Sequence, residues 1–561
     1  MLQILLAQLI VPPTQSGPIR LPQRGKTKDE LVDDIDNLKT LIEIRETEKS
    51  NKNNKENNRN KYKTYAIQGL SIYNPGLIRS LLNKCKITQG EKTHEGAVFC
   101  LNLIQNKLKR EGYITTKVIL EESMGHIIFQ AKEGKIDKVI VKGGEPNLNR
   151  NIKDKTKIIE GKILHLPTLQ RNLRLLKTVA GVERVDAKLS IVKDKLESAQ
   201  LEILITEGEE PWRGNISLSN SGNNGSGELS LSSNFLKKNA IVNGDLFFIS
   251  GETDGTPEPQ LGGINGSLSY TLPISDRIYF TASGGYNKKR LIELSSPANN
   301  IRNIQIQGSG QLEWIIKEDL TQRHSLFVNL TKSNSNLYSG VKKLPTDFIQ
   351  DIVREPMSGY LRSGINSSII NNQTSWNGSL YLLNGIAAMT PKVQRKELQK
   401  ISIDPGKAIA VGGLLTANWA ISQDLTLKVI SGGQLAFNNL TPIMEFALGS
   451  DIGLRGLPGQ LTSGDSGWLT TVETPFKLWK HEKLSLQLVP FIGKGSVYRT
   501  VAKKDIKDNV GTAGIFIRWM EGRRWTIELG WVDSFETNDN PGAWSQWSLA
   551  DGLYAQAIYR F

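Results

Sequence analysis

After Pro211 the hydrophobic and polar positions alternate residue by residue, in short segments that continue to the end of the chain. The alternation is most regular in segments 326–331, 484–489, 525–531 and 553–561. Successive side chains of a β-strand point to opposite faces, so this pattern predicts strands that have one apolar and one polar side. We count about 16 such segments, an even number that is typical of bacterial single-chain membrane barrels.

A soluble β-sandwich would also alternate, but three features favour a membrane barrel. The region holds 561 − 210 = 351 residues without helical periodicity, which is large for one sandwich. Its segments are often ten or more residues long, as in 276–289 and 424–438, and a tilted membrane strand needs roughly 9–11 residues. The last segment carries Tyr559 and Phe561 on its apolar face. We therefore predict an antiparallel transmembrane β-barrel over residues 210–561.

Two short α/β units precede this region, at residues 64–134 and 135–209. Each unit shows one short strand, two helical segments and two further strands, in the same order. The second helix of the first unit, predicted over 96–110, ends before Gly112, and glycine is typical of the position after a helix. Each unit is long enough to bury a modest core.

Three different segments make up the first 63 residues. Residues 1–26 begin with the apolar stretch Leu2–Val11, which has the length of a signal-peptide core but no basic residue before Arg20. The stretch is either no signal or the end of a longer one, and we favour the second reading. Residues 27–47 repeat apolar side chains at helical spacing, which predicts an amphipathic helix. Residues 48–63 form a polar, low-complexity linker.

Composition and charge exclude several classes of protein. Only 38% of the residues are hydrophobic, too few for a bundle of apolar membrane helices. The net charge of +14 is spread along the chain, and the basic linker lacks the aromatic residues on which bases stack, so we predict no nucleic-acid partner. The five histidines never approach metal-ligand spacing. We therefore predict no metal and no cofactor.

The two cysteines, Cys85 and Cys100, are too few for a disulfide scaffold or a four-cysteine zinc site. They could form one disulfide in an oxidising compartment, or they could be two buried thiols. The sequence leaves both alternatives open.

A Gly-Asp-Ser-Gly run at residues 464–467 matches part of a serine-protease nucleophile loop. Protease or lipase chemistry also needs a histidine within hydrogen-bond reach of the serine. His324 and His481 are the only histidines of the barrel region, and neither lies in a companion motif. We therefore predict that the protein is not an enzyme and has no catalytic residues.

Several local motifs resemble those of one known family, and they extend along nearly the whole chain. The motifs are Gly112-Tyr113-Ile114-Thr115, similar to a GY-x-T run; Glu133–Ile136, similar to E-G-x-I; Asn220–Glu228 with Gly244-Asp245-Leu246, similar to D-N-x-G and G-D segments; and Leu448–Leu457 followed by 464–467, similar to a V-R-G-[YF] loop and G-D-x-G. Together with two α/β units before a barrel, they resemble the outer-membrane transporters of two-partner secretion, the TpsB family of haemolysin secretion/activation proteins.

This resemblance implies two POTRA domains, at residues 64–134 and 135–209, followed by a 16-stranded barrel. It implies a translocator that exports a large partner exoprotein of adhesin or haemolysin type, whose N-terminal secretion domain the POTRA domains capture unfolded. It also implies contact with outer-membrane lipids and with the barrel assembly machinery, and POTRA domains in the periplasm of a Gram-negative-type bacterium. The nearest alternative is an outer-membrane protein assembly factor, or insertase, of the same POTRA–barrel superfamily.

The same resemblance makes residues 440–463 the sixth extracellular loop, between strands 11 and 12, which folds back into the lumen. Its tip motif is Leu454, Arg455, Gly456 and Leu457. An arginine beside a glycine can reach deep into a barrel and pair with a carboxylate on the wall. The family's wall motif is F-x-D-x-G; this chain keeps Phe491 and Gly495, has Gly493 in place of the acid, and adds Lys494, which we expect to repel the arginine. The remaining candidate partners are Asp465, Glu473 and Glu528.

Three further expectations follow from the family. Gly112, Tyr113 and Thr115 form a motif of the first POTRA domain. Tyr559 and Phe561 form a C-terminal assembly signal. The helix predicted over 27–47 either plugs the pore or lies on a POTRA surface.

Overall fold

A computed structural model describes residues 64–561 except for short gaps. The gaps are 90–93, 124–125, 177–181, 193–194, 209–211, 243, 258–259, 276, 294–300, 319–320, 340–341, 344–356, 372, 502–503, 523 and 537–542. The signal-like segment 1–26, the helix predicted over 27–47 and the linker 48–63 lie outside the described residues. The described chain belongs to two compact units, which meet in sequence at residues 209 and 210.

The first unit contains two α/β domains with the same order of elements. The first domain has β1 (Thr64–Gln68), α1 (Pro75–Gln89), α2 (His94–Arg110), β2 (Lys117–Ser123) and β3 (His126–Lys132). Its sheet has the order β1-β3-β2, with β1 parallel and β2 antiparallel to β3. Ile104 and Leu108 of α2 pack with Ile127 and Phe129 of β3, and all four are fully buried. The apolar face of α2 therefore covers one side of the sheet.

The second domain repeats this arrangement. Its elements are β4 (Lys135–Lys142), α3 (Pro146–Thr156), α4 (Leu166–Leu176), β5 (Val182–Val192) and β6 (Lys195–Glu207). The sheet order is β4-β6-β5, again with one parallel and one antiparallel pairing. The predicted pair of small α/β POTRA folds is confirmed.

Cys85 of α1 and Cys100 of α2 form a disulfide within the core of the first domain. The structure thus decides between the two alternatives that the sequence left open. The bridge joins the two helices that cover the sheet.

We expect the double variant Cys85→Ala/Cys100→Ala to lower the free energy of unfolding of the POTRA unit by about 3 kcal/mol, because the bridge closes a loop with a sequence separation of 15 and so restricts the unfolded chain. Urea unfolding of residues 64–209 measures the effect. The wild-type fragment under reducing conditions is the matched control and should lose a similar amount. A difference within error between oxidised wild type and variant would contradict the prediction.

The second unit is a closed antiparallel barrel of 16 strands. Its elements in chain order are β7 (Arg213–Ser219), β8 (Leu229–Lys238), β9 (Leu246–Gly255), β10 (Leu261–Pro273), β11 (Ile278–Arg290), β12 (Ile301–Glu318), β13 (Gln322–Ser339), a two-residue β14 (Lys342–Lys343), β15 (Ser358–Ile370), β16 (Thr374–Gly385), β17 (Ile409–Ala420), β18 (Thr426–Ala436), β19 (Phe446–Leu448), β20 (Thr462–Gly464), β21 (Ser466–Glu473), β22 (Phe476–His481), β23 (Leu484–Val501), β24 (Lys504–Glu521), β25 (Trp525–Glu536) and β26 (Leu553–Arg560). β22 continues β21 as one strand beside β23, whereas β19 and β20 form a separate hairpin.

The alternation of apolar and polar residues in the sequence matches the alternation of outward and inward side chains in the barrel wall. Leu326, Val328 and Leu330 are exposed on the outer face of β13, while Phe327 between them is buried. One end of the barrel has short turns, such as 421–425 and 482–483, and the other has long loops. We call these the turn end and the loop end. β7 starts and β26 finishes at the turn end.

The described part of the barrel region also contains one short α-helix, although its sequence shows no helical periodicity. α5 (Lys392–Lys400) lies in the loop between β16 and β17, directly after Pro391. Its only buried side chain is Leu398, so it is too short and too polar to produce an apolar helical repeat in the sequence. No helix in the described part of the chain is long and apolar enough to cross a membrane.

Five residue pairs close the seam of the barrel, where β26 meets β7. The pairs extend from Gln556 opposite Ser219 to Arg560 opposite Asn215. Beyond them, Phe561 and Gly214 exchange two backbone hydrogen bonds of 3.1 Å. The last residue of the chain therefore takes part in closing the barrel.

Candidate functional site

Residues 437–465 connect β18 to β21, the eleventh and twelfth strands of the barrel, and fold against the inner wall. We call this segment loop 6. The hairpin of β19 and β20 forms its base, and residues 449–461 form its tip. Leu454, Leu457 and Leu461 of the tip are buried in an apolar cluster with wall residues such as Val489 and Val532. Loop 6 is thus packed as part of the barrel interior.

Gly456 gives the tip its tight turn. Its φ of +80° is rarely adopted by other residues. A Cβ atom here would lie 2.1 Å from Cγ1 of Val532. The tip approaches β25 this closely because the residue has no side chain.

Arg455 extends from the tip to two carboxylates on the wall. Its Nε donates to Oε1 of Glu473 at 2.6 Å, and its Nη1 donates to Oε2 of Glu528 at 2.8 Å. The guanidinium also lies 5.0 Å from the ring centre of Phe516. The main chain is held as well, since Thr512 donates from its hydroxyl to the carbonyl oxygen of Arg455 at 2.8 Å. Charge-assisted bonds to two separate strands fix the tip in one position.

Two further cations complete an ionic cluster on the wall. Nζ of Lys428 lies 3.3 Å from Glu473, and Nε of Arg518 donates to Oε1 of Glu528 at 2.7 Å. Glu473 and Glu528 are almost fully buried. Without Arg455 the two carboxylates would still face two cations. The wall alone is therefore electrically balanced, and withdrawal of the tip need not leave an unpaired buried carboxylate.

Gly493 occupies the position where the family's motif has an acid. A Cβ atom on Gly493 would lie 2.7 Å from Cδ1 of Leu454 and 2.8 Å from Oγ1 of Thr471. The tip leucine fills the space that a larger residue would need. The packing of Leu454 therefore restricts the space at 493, and the carboxylates that bind Arg455 lie on β21 and β25 instead.

The other residues of this wall motif have separate positions. Phe491 is buried, with its ring centre 5.8 Å from that of Phe516, and Gly495 allows Leu448 to pack against β23. Lys494 is exposed between the inward Gly493 and Gly495. It lies on the outer face of the strand, so the expected repulsion of Arg455 was wrong; neighbouring residues of a strand face opposite sides.

Asp465, the third candidate acid, lies elsewhere at the base of loop 6. Its carboxylate accepts hydrogen bonds from the backbone N–H groups of Leu440 at 2.7 Å and Thr500 at 3.3 Å. The structure therefore brings Glu473 and Glu528 to Arg455. Asp465 instead fixes the backbone at the base of loop 6. Sequence reasoning missed Lys428, Arg518, Phe516 and Tyr554, whose hydroxyl oxygen accepts a hydrogen bond of 3.3 Å from Nη1 of Arg455. Their inward strand positions were visible, but the strand pairing that gathers them was not.

The loop before β26, residues 543–552, covers the tip at the loop end. Trp544, Trp547 and Leu549 share the apolar cluster of the tip leucines. Nε1 of Trp547 donates to Oε1 of Glu293 at 2.6 Å, and the backbone N–H of Ser548 donates to Oε1 of Glu228 at 2.9 Å. These bonds cross the seam to the loops that follow β7 and β11. They strengthen the closure of the barrel where β26 begins.

The G-D segment shapes a turn at the turn end. The carboxylate of Asp245 accepts hydrogen bonds from the backbone N–H groups of Ala240, Ile241 and Val242 and from the hydroxyl of Tyr270. Although burial favours the neutral acid, these bonds lower the pKa of Asp245. The charged side chain thus stabilises the turn between β8 and β9.

Gly112, Tyr113 and Thr115 lie where the two α/β domains meet. The carbonyl oxygen of Gly112 accepts a hydrogen bond of 3.0 Å from the N–H of Leu166, and its φ is +91°. The Tyr113 ring lies 4.8 Å from that of His165. Thr115 packs so closely on Gly134 that a Cβ there would lie 2.3 Å from its Oγ1. The GY-x-T and E-G segments are therefore parts of one junction.

Glu445 at the base of loop 6 is a buried acid whose hydroxyl partner is Ser463, at 2.5 Å. Burial raises the pKa of Glu445 to about 7; nearby Arg499 opposes this rise and Asp465 adds to it. When loop 6 is packed inside the barrel (the seated loop), the carboxyl group of Glu445 therefore binds its proton more tightly than a solvated carboxyl group with a pKa near 4.5 does. The stability of the seated loop relative to an unseated loop falls as pH rises from about 4.5 to about 7.

We accordingly expect channel opening in planar bilayers to increase on the order of tenfold as pH rises through this interval. The variant Glu445→Gln cannot lose a proton, so its opening should depend less on pH. Single-channel recording of both proteins at pH 5 to 8 measures this. Parallel pH profiles for wild type and variant would exclude Glu445 as the responsible group.

Comparison with known proteins gives a consistent result. Residues 199–515, more than half of the chain, match the family described as haemolysin secretion/activation protein ShlB/FhaC/HecB. Two solved structures are similar in fold: CdiB from Escherichia coli, at 14% identity and a TM-score of 0.56 over 92% of this chain and 93% of that one, and CdiB from Acinetobacter baumannii, at 14% identity and 0.52 over 98% and 100%. No curated protein matches the sequence.

The family match extends from the second α/β domain well into the barrel, and the similar structures cover both units. The resemblance read from the sequence motifs is thereby confirmed. The chain belongs to the ShlB/FhaC/HecB family of haemolysin secretion/activation proteins, a family of outer-membrane transporters.

Proposed function

We propose that this protein exports a large partner exoprotein, of adhesin or haemolysin type, through the lumen of its barrel in two-partner secretion. The POTRA domains lie in the periplasm and capture the N-terminal secretion domain while it is unfolded. The barrel lies in the outer membrane, with its apolar outer face against lipid, and the long loops face outward. The assembly machinery recognises the strand that ends in Tyr559 and Phe561.

The open sheet edges of the POTRA domains support the capture step. Within the described residues, β2 pairs only with β3, and β5 pairs only with β6. β5 is 11 residues long, and an unpaired edge of this length can accept an extended segment as an added strand. Backbone hydrogen bonds require little sequence specificity, which suits a large and unfolded cargo. Ordering that cargo costs free energy, so micromolar binding, on the order of −8 kcal/mol, is expected.

The observation that carries the proposal is the closed seam between β26 and β7. An insertase must release its substrate sideways into the membrane, so two neighbouring strands must separate, and no loop connects the first strand of the barrel to the last. Here the seam is paired from Gln556 to Phe561 and crossed at the loop end by the bonds of Trp547 and Ser548. Such a seam favours export through the lumen.

A disulfide across the seam distinguishes export through the lumen from lateral release. Ser217 and Ile558 are opposite each other in the register of β7 and β26, so the double variant Ser217→Cys/Ile558→Cys can be crosslinked there. A translocator should secrete its exoprotein at the wild-type level with the bridge formed, as judged by gel mobility with and without reductant. Loss of secretion that reductant restores would favour lateral release instead. Each single cysteine variant is the matched control.

A further inference from the structure

The inner wall of the barrel has two chemically different faces. The charged residues Lys428, Glu473, Arg518 and Glu528 lie on β18 to β25, where the tip of loop 6 is also packed. On β9 to β12, which lie across the barrel from these strands in the strand order, six inward positions carry hydroxyl side chains. We call the six residues Ser250, Ser267, Thr271, Thr281, Ser283 and Ser309 the hydroxyl face.

The inward direction of the hydroxyl face follows from its neighbours. On β10 and β11 the intervening residues Leu268, Leu272, Ile278 and Phe280 are exposed apolar side chains of the outer surface. Thr271 and Thr281, which alternate with them, are buried. The hydroxyl groups therefore belong to the interior of the barrel.

The hydroxyl groups bond to one another across the strands. Ser250 pairs with Ser267 at 2.6 Å, between β9 and β10. Thr271 pairs with Thr281 at 2.8 Å, between β10 and β11. Ser283 pairs with Ser309 at 2.5 Å, between β11 and β12. Each hydroxyl both donates and accepts, so these pairs can exchange partners without leaving a polar group unsatisfied.

Fixed charge is displaced from this face toward the two ends of the barrel. β10 contains no charged residue. The Glu313–Arg323 ion pair lies near the turn end, and Glu252, Asp254 and Lys289 lie near the loop end. A cargo polypeptide that passes the middle of β10 and β11 therefore contacts no charged side chain there that could bind or repel its own side chains.

We propose, on the basis of the proposed secretion function, that the hydroxyl face is the surface along which the extended cargo polypeptide moves. A conduit must bind its cargo strongly enough to admit it and weakly enough to release it. Exchangeable hydroxyl pairs can bond briefly to a passing backbone, and loop 6 occupies the opposite, charged face. The partner is thus an extended polypeptide that is held through its main chain.

Site-specific photo-crosslinking in secreting cells tests this assignment. A benzoylphenylalanine side chain is introduced at Ser283 or Ser309, at the outward Ala282, or at Thr526, an inward residue of β25 on the charged side. Export is slowed by a folded domain fused to the exoprotein. Secretion of the unfused exoprotein into the medium, measured in each strain, monitors the proposed function separately.

Crosslinks to the exoprotein are expected from Ser283 and Ser309 but not from Ala282, and at most weakly from Thr526. Crosslinks from Thr526 alone, or from none of the inward positions in cells that secrete normally, would overturn the assignment while leaving the secretion function intact. As an independent measurement, Ser283→Asp should lower the secretion rate several-fold and make the channel more cation-selective, whereas Ser283→Thr should change neither. An unaltered secretion rate in Ser283→Asp would also contradict the proposal.

Discussion

The variant Arg455→Ala is expected to abolish secretion of the exoprotein while the barrel still assembles. The substitution removes the bonds to Glu473 and Glu528 at 2.6 and 2.8 Å, and a hydrogen bond to a charged group typically contributes about 1.5–3 kcal/mol. The wall itself should survive, because Lys428 and Arg518 still balance the two carboxylates. Exoprotein in the medium and the heat-modifiable gel mobility of the barrel measure the two effects.

Two further variants separate the role of the tip from a general loss of charge. Arg323→Ala removes another inward arginine, whose bond to Glu313 is 3.2 Å long, and should leave secretion near the wild-type level because it does not contact loop 6. Arg455→Glu combined with Glu528→Arg should restore part of the activity by reversing the pair. If neither this exchange nor Glu473→Arg rescues Arg455→Glu, pairing across the lumen is not what seats the loop.

The variant Gly493→Asp is expected to be nearly as damaging, although it restores the acid of the family's wall motif. The new side chain would occupy the space of Leu454, whose Cδ1 lies 2.7 Å from the position of a Cβ. Overpacking of this kind typically costs about 1–3 kcal/mol, and the buried carboxylate adds a desolvation cost. We expect little secretion and faster proteolytic cleavage within residues 449–461.

A second substitution distinguishes this steric explanation from a change of charge. Leu454→Ala in the Gly493→Asp background opens the missing space and should recover part of the secretion. Gly493→Ala, which adds one methyl group, should have an intermediate effect. Wild-type secretion by Gly493→Asp would show that Leu454 can move aside at little cost and that the position is not sterically restricted.

The sequence predicted the elements of the fold more closely than the details of the site. Strict alternation over long segments can produce only strands with two different faces, so the barrel and its outward apolar residues could be read directly. The two α/β units repeated their order of elements, and the structure has the same order in both. α5 was missed because a short polar helix leaves no apolar period in the chain.

Within the site, the sequence determined the residue types that are available and the face on which each lies. Arg455 beside Gly456, and carboxylates at 473 and 528, were visible as candidates, but nothing in the chain order distinguished them from Asp465. That distinction depends on closure of the barrel and on the folding of loop 6 into it, which bring Arg455 to Glu473 and to Glu528, 18 and 73 positions away in the chain. The sequence likewise left open whether Cys85 and Cys100 are bonded, and the tertiary structure decided that they form a disulfide.

The sequence by itself therefore determined the architecture of this protein. The spacing of apolar residues along a short segment distinguishes a strand from a helix, because the two backbones repeat with different periods. Only the tertiary structure decided which acids hold the tip of loop 6, why glycine stands at 493, and which wall of the lumen is uncharged. These features depend on distances between strands that are remote in sequence. Such distances are set by closure of the whole barrel and by the packing of the loop inside it.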